Sequence, residues 1–91
     1  MTIWSDTART VSVAMSAAHA YGSDWSASSM FGATLNGAAV SLGGTFTSTG
    51  WTAFRSVDLA NIDLQQGVNT LVFTVKEAHV PNIDAFIFTA V

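Results

Sequence analysis

The chain has 91 residues, a length that holds one domain and no more. Apolar residues make up 49 % of it and charged residues 10 %, which excludes a disordered chain, since disorder needs low hydrophobicity and high charge. The net charge is −3, with Arg9, Arg55 and Lys76 the only fixed cations; that excludes a nucleic-acid partner, because a phosphate backbone requires a basic patch.

No cysteine is present, so there is no disulfide framework, thiolate zinc site or thiol nucleophile, and the redox compartment stays open. Met1 to Asp6 has neither a basic n-region nor a long apolar stretch, so no signal peptide is expected. No apolar run approaches the length of a membrane span, so no membrane partner is expected.

Taken in order, Met1 to Asp6 reads as a short edge strand or a tail, with Trp4 expected to be buried. Thr10 to Met15 alternates cleanly and predicts a strand from about Arg9 to Ala17, with Val11, Val13 and Met15 facing inward. Tyr21-Gly22-Ser23-Asp24-Trp25-Ser26 is loop-like. Met30 to Leu35 is the next predicted strand. It runs into Asn36-Gly37, the strongest hairpin signal in the chain, because both central residues of a type I′ turn need positive φ. Ala38 to Leu42 is the return strand, and Gly43-Gly44 ends it.

Trp51 to Phe54 then form a loop and strand approach, and Arg55 to Ala60 a strand with Val57 and Leu59 inward. Gln66-Gly67 is a turn. Thr70 to Lys76 is a strand with Leu71, Phe73 and Val75 on one face. After the lone proline, Pro81, the last strand runs from Ile83 to Ala90. No helix has both a start and a stop signal. Six or so short strands with regular loop signals predict an all-β sandwich in a single domain, residues 1–91.

The loops holding Trp51 and Asn82 are placed to meet at one end of the sheet. An indole in a loop offers a flat apolar face to the C–H face of a pyranose ring and keeps an N–H donor; the alternative for Trp51 is closing the end of the core. Phe54 reads as core. Asn82 donates and accepts at once, which suits paired hydroxyls; its alternative is satisfying its own loop backbone. Tyr21, Asp24 and Trp25 form a polar-aromatic cluster that is either a recognition surface or a loop folded over the sandwich edge. His19 and His79 have no metal-ligand spacing, and no serine lies in a nucleophile-elbow context. Glu77 is the single glutamate, which excludes a glutamate pair for glycoside hydrolysis. No enzyme is expected.

Several of these residues carry a family resemblance. Gly50-Trp51, a second aromatic at Phe54, Leu64-Gln65-Gln66-Gly67-Val68-Asn69-Thr70-Leu71 and Pro81-Asn82-Ile83-Asp84 come in that order, after the Asn36-Gly37 turn. This series resembles the C-terminal part of family 6 and family 35 carbohydrate-binding modules, over roughly Thr10 to Val91. The resemblance implies a jelly-roll β-sandwich, extracellular, that binds polysaccharide and catalyses nothing. It places a sugar-stacking ring at Trp51 and a ligand contact at Asn82.

In some relatives a calcium-binding carboxylate stands where Asp84 is. The usual N-terminal acidic partner has no counterpart here, so no cofactor is expected and Asp84 reads as the cap of a turn. The family's usual N-terminal strands, with their aromatic platform, also have no counterpart; Tyr21 and Trp25 are the substitute candidates. The chain is then either a compact variant or a partial module that completes its sandwich as a homo-oligomer, since open edges pair. The alternative to carbohydrate binding is a structural, self-assembling half-sandwich with no sugar site.

Overall fold

Period-two alternation sets the architecture. The structure, a computed structural model, describes residues 1–77 and 80–91; His79 lies outside the described residues. In chain order the elements are β1 (Thr2–Ser5), β2 (Arg9–Ala18), β3 (Trp25–Ser26), the single turn α1 (Ala27–Met30), β4 (Phe31–Leu35), β5 (Ala38–Val40), β6 (Thr45–Phe46), β7 (Arg55–Leu64), β8 (Gly67–Val75) and β9 (Asn82–Ala90). One sheet has the order β1-β8-β4-β5 and a second the order β7-β2-β9, with β3 and β6 as a small separate pair. All pairings are antiparallel. The chain is an all-β, sandwich-like fold, as the alternation predicts.

Val11, Val13, Met15 and Ala17 of β2 are buried. They pack with Leu59, Ile62 and Leu64 of β7 and with Phe31 and Leu71 of the opposite sheet, in two adjoining clusters. Phe73 of β8 touches both clusters and stacks on Phe86 of β9 with ring centroids 4.8 Å apart. Burying large apolar side chains of this kind contributes about 1.5–3 kcal/mol each, so these two clusters supply most of what holds the layers together.

β7 runs four residues beyond the predicted Ala60 because of a bulge. Val13 pairs with Ala60 and Ala14 with Asp58, which leaves Leu59 as the extra residue. The bulge shifts the phase, so Leu59 and Ile62 both point inward although they lie three residues apart. Period-two reading stops where the phase slips.

Asn36 (φ 51°) and Gly37 (φ 85°) form the positive-φ hairpin turn between β4 and β5. Gly44 (φ 89°) lets its segment approach β7 closely: a Cβ there would lie 2.5 Å from the Asp58 carbonyl oxygen. That approach is fixed by the Gly43 N–H donating to the Leu59 carbonyl at 2.7 Å.

The β7–β8 turn is held by Asn69, which is fully buried. Its Oδ1 accepts from the Gln65 backbone N–H at 2.9 Å and from Asn36 Nδ2 at 3.0 Å. Its Nδ2 donates to the Gln65 carbonyl at 2.9 Å and leans toward the Gly67 carbonyl at 3.3 Å. Asn36 in turn accepts the Thr70 N–H at 2.8 Å. One carboxamide thus ties a turn, the start of β8 and the facing hairpin together, replacing the water those groups would lose on burial.

Two core expectations fail. Trp4 is 72 % exposed, not buried: it pairs with Val68 on the outer face of its sheet, whereas its neighbours Ile3 and Ser5 turn inward. Phe54 is 43 % exposed, not core. It stands before the first residue of β7 and one position out of phase with the inward Val57 and Leu59.

Candidate functional site

Three separate segments converge at one end of the sandwich. The first is the chain leaving β2. His19 continues the inward phase of Val13, Met15 and Ala17 and is almost fully buried. Its Nδ1 accepts the Tyr21 backbone N–H at 3.3 Å. Its Nε2 therefore carries the proton and donates to the Phe46 carbonyl at 2.9 Å. The His19 carbonyl accepts both the Thr49 and the Gly50 N–H, at 2.9 and 3.0 Å. One residue thus fixes the course of the Tyr21 loop and of the loop that leads to Trp51.

On this support stands an aromatic assembly. The His19 ring lies parallel to the Trp25 indole, 7° between planes, with centroids 4.1 Å apart. The Tyr21 ring stacks on Trp25 at 4.5 Å. His19 and Tyr21 are 6.0 Å from each other, too close to lie on opposite faces of the indole. Trp25 itself is half-buried and packs against the Met15–Phe31–Phe46 core cluster. Trp51 meets Tyr21 edge to face, at 83° and 4.9 Å. Its own loop is braced by the Thr49 hydroxyl, which donates to the Ala53 carbonyl at 2.6 Å.

The third segment is the head of β9. Asn82 is the first residue of that strand rather than a loop residue, and its Nδ2 donates to the Trp51 carbonyl at 3.3 Å. Its Oδ1 accepts no hydrogen bond among the described residues.

The four candidate ligand residues, Trp51, Asn82, Tyr21 and Trp25, therefore lie together, though their exposure differs. Trp51 and Tyr21 are 42 % and 44 % exposed, Asn82 is exposed, and Trp25 is partly covered. The outcome is a corner of two exposed rings at right angles beside an exposed carboxamide, a geometry suited to apolar C–H faces and neutral hydroxyls.

Asp84 stands apart from this corner's ring contacts. It is an exposed residue within β9, at the irregularity where Ser16 pairs with Ala85 and Ala17 with Ile83, and it does not cap a turn. Among the described residues no three histidine, aspartate or glutamate side chains gather into a metal-binding group. His19 has both ring nitrogens on backbone groups and no carboxylate partner among the described residues. No helix among the described residues is long and apolar enough to cross a membrane.

His19 is the residue that sequence reasoning missed. Taken only as a metal or catalytic candidate, it has no partner in spacing; taken as the next inward position of β2, it is a buried support. Compared with family models, with curated proteins and with solved structures, the chain matches none of them.

Proposed function

We propose that the chain is a non-catalytic carbohydrate-binding module that holds a neutral polysaccharide at the corner formed by Trp51, Tyr21 and Asn82. The observation that carries this reading is the convergence itself. Residues from three distant segments present two exposed rings and one open amide acceptor on a single surface. A pyranose stacks its C–H face on the Trp51 indole, and Asn82 Oδ1 accepts from a sugar hydroxyl. Trp25 acts from behind, holding Tyr21 in place through their stacking contact. Because the rings are fixed before ligand arrives, little side-chain entropy is lost on binding. Affinity per site is modest, and copies joined in one assembly raise it through effective concentration. Polysaccharide of this kind is met outside the cell, which is where we place the protein.

The test is affinity electrophoresis across a panel of soluble polysaccharides, with the wild type and Trp51→Ala, and mass by light scattering for both. Retardation by at least one glycan, abolished in a variant of unchanged mass, is the expected result. No retardation by any glycan, or equal retardation of both proteins, overturns the reading.

A further inference from the structure

The four outer strands of the two sheets are not equally protected. β1 has four residues and β5 three, so their open edges are short. β7 is long, but it carries Arg55, Asp58 and Asp63 and is bent by its bulge at Leu59. Charges, bulges and shortness are the usual devices that keep a sheet edge from pairing with another chain. β9 has none of them over most of its length. It has nine residues and one charge, Asp84. From Ala85 to Ala90 it runs in unbroken register with β2, from Ser16 to Val11.

The inner face of β9 is also incompletely covered. Phe86 and Phe88 pair with the buried Met15 and Val13, so they point into the sandwich. Phe86 is half-buried against Phe73, but Phe88 remains 38 % exposed. It borders a groove of about 470 Å³ between β1 and β9, lined also by Ile3, Trp4, Val11 and Leu64 and by the Asp6–Arg9 ion pair. On the outer face of β9, Ile87 is 42 % exposed.

We propose that β9 pairs with β9 of a second copy of this chain, antiparallel about a two-fold axis at Ile87, joining two three-stranded sheets into one of six strands. An extended strand is the protein partner that pairs with a whole row of edge N–H and C=O groups, replacing the water on them. The chain's own strand fits because it is self-complementary in this register. Phe86 faces Phe88 of the partner on the inner side, twice over, giving two cross-strand aromatic pairs. Ile87 faces its own copy on the outer side. Asp84 comes opposite Ala90 of the second copy rather than its own mate, so no like charges oppose one another. The strip is about 30 Å long and about 10 Å deep. It takes roughly 600 Å² of surface from the two copies together, below the standard size of a specific interface, so the dimer is weak, reversible and concentration-dependent. The inference is independent of sugar binding: the Trp51 corner lies at the Asn82 end of β9, away from Ile87.

The test is sedimentation velocity on the full chain from about 1 to about 200 µM, a range that brackets a weak interface of this size, for the wild type and Ile87→Lys. The substitution is on an exposed outer position and sets two ammonium groups opposite each other on the axis. The wild type is expected to shift from monomer to dimer across the range, and the variant to stay monomeric with an unchanged melting midpoint at the dilute end. A wild type monomeric throughout, or a variant that dimerises equally well, overturns the proposal. Because the chain has no cysteine, Ile87→Cys gives a second reading. Mild oxidation is expected to yield a covalent dimer, while Thr34→Cys on the other sheet yields no covalent dimer. A dimer that Ile87→Cys fails to crosslink overturns the axis at Ile87.

Discussion

Two asparagines in consecutive strands, Asn69 of β8 and Asn82 at the head of β9, carry the same carboxamide into opposite surroundings. Asn69 is fully buried and every polar atom it has is directed at backbone or at Asn36. Asn82 is exposed, donates to the Trp51 carbonyl, and its oxygen accepts no hydrogen bond among the described residues. Both stand in the segments that carry the family resemblance, yet one is occupied with folding and the other is open to a ligand. The difference is made by what surrounds each: a tight turn and a facing hairpin close over Asn69, whereas the Trp51 loop stops beside Asn82 without covering it. Substitutions that separate folding from binding test whether this division of labour is real.

The largest effect is expected at the buried amide. Asn69→Ala removes the buried partner of the Gln65 N–H and C=O and of Asn36 Nδ2, at a cost of about 3 kcal/mol. For a domain of this size the melting midpoint falls by roughly 15 °C. Calorimetry checks it, and retardation by glycan, measured well below the transition, is expected to match the wild type. If Asn69→Ala melts within a few degrees of the parent, the clamp is not what holds the β7–β8 turn.

His19 sits between the two regimes. His19→Phe keeps a ring against Trp25 but removes both polar contacts of the imidazole, to the Phe46 carbonyl and to the Tyr21 N–H. A loss of about 2 kcal/mol in urea unfolding is expected, together with a severalfold weaker retardation, because the Tyr21 loop loses its anchor. Loss of stability without any change in glycan retardation would show that His19 supports the core alone.

At Trp51 the balance is reversed. The ring is 42 % exposed and meets Tyr21 edge to face. Trp51→Ala is expected to cost under about 1 kcal/mol of stability and at least about tenfold in glycan affinity, which is about 1.4 kcal/mol. A mutant that instead unfolds would move Trp51 from the ligand surface to the structural side of the comparison.

The pattern of strands was legible in the sequence because period-two alternation survives where one face is buried: the inward Val11, Val13 and Met15 of β2, Leu71 and Phe73 of β8 and the Asn36-Gly37 hairpin follow it, whereas Val75 at the end of β8 is 57 % exposed. It failed where local phase and tertiary cover part company. The Leu59 bulge hid the second half of β7. Trp4 and Phe54 are large and apolar, but their phase turns them outward, and hydrophobicity alone does not report phase. The meeting of Trp51 with Asn82 was foreseeable from strand order. The stacking of His19, Trp25 and Tyr21 was not, since it depends on a loop conformation set by two contacts to one imidazole. Asn69 was visible as a motif residue, but its burial follows from the facing hairpin, which no local pattern encodes.

The finest division of the comparison lies at Asn82. Removing its side chain breaks one exposed hydrogen bond, to the Trp51 carbonyl at 3.3 Å. Water replaces that partner at once, so Asn82→Ala is expected to leave stability within about 0.5 kcal/mol of the wild type. In the proposed complex the same change removes the acceptor for a sugar hydroxyl, worth about 1 kcal/mol, or roughly a fivefold weaker retardation with the ring stacking intact. Asn82→Asp sharpens the result. The carboxylate still accepts from a hydroxyl but cannot donate to the Trp51 carbonyl, so it separates ligand contact from loop positioning. If Asn82→Asp retains the retardation that Asn82→Ala loses, the oxygen touches the glycan. If both variants lose it equally, the amide acts by holding the Trp51 loop, and the hydroxyl partner has to be sought elsewhere on the corner.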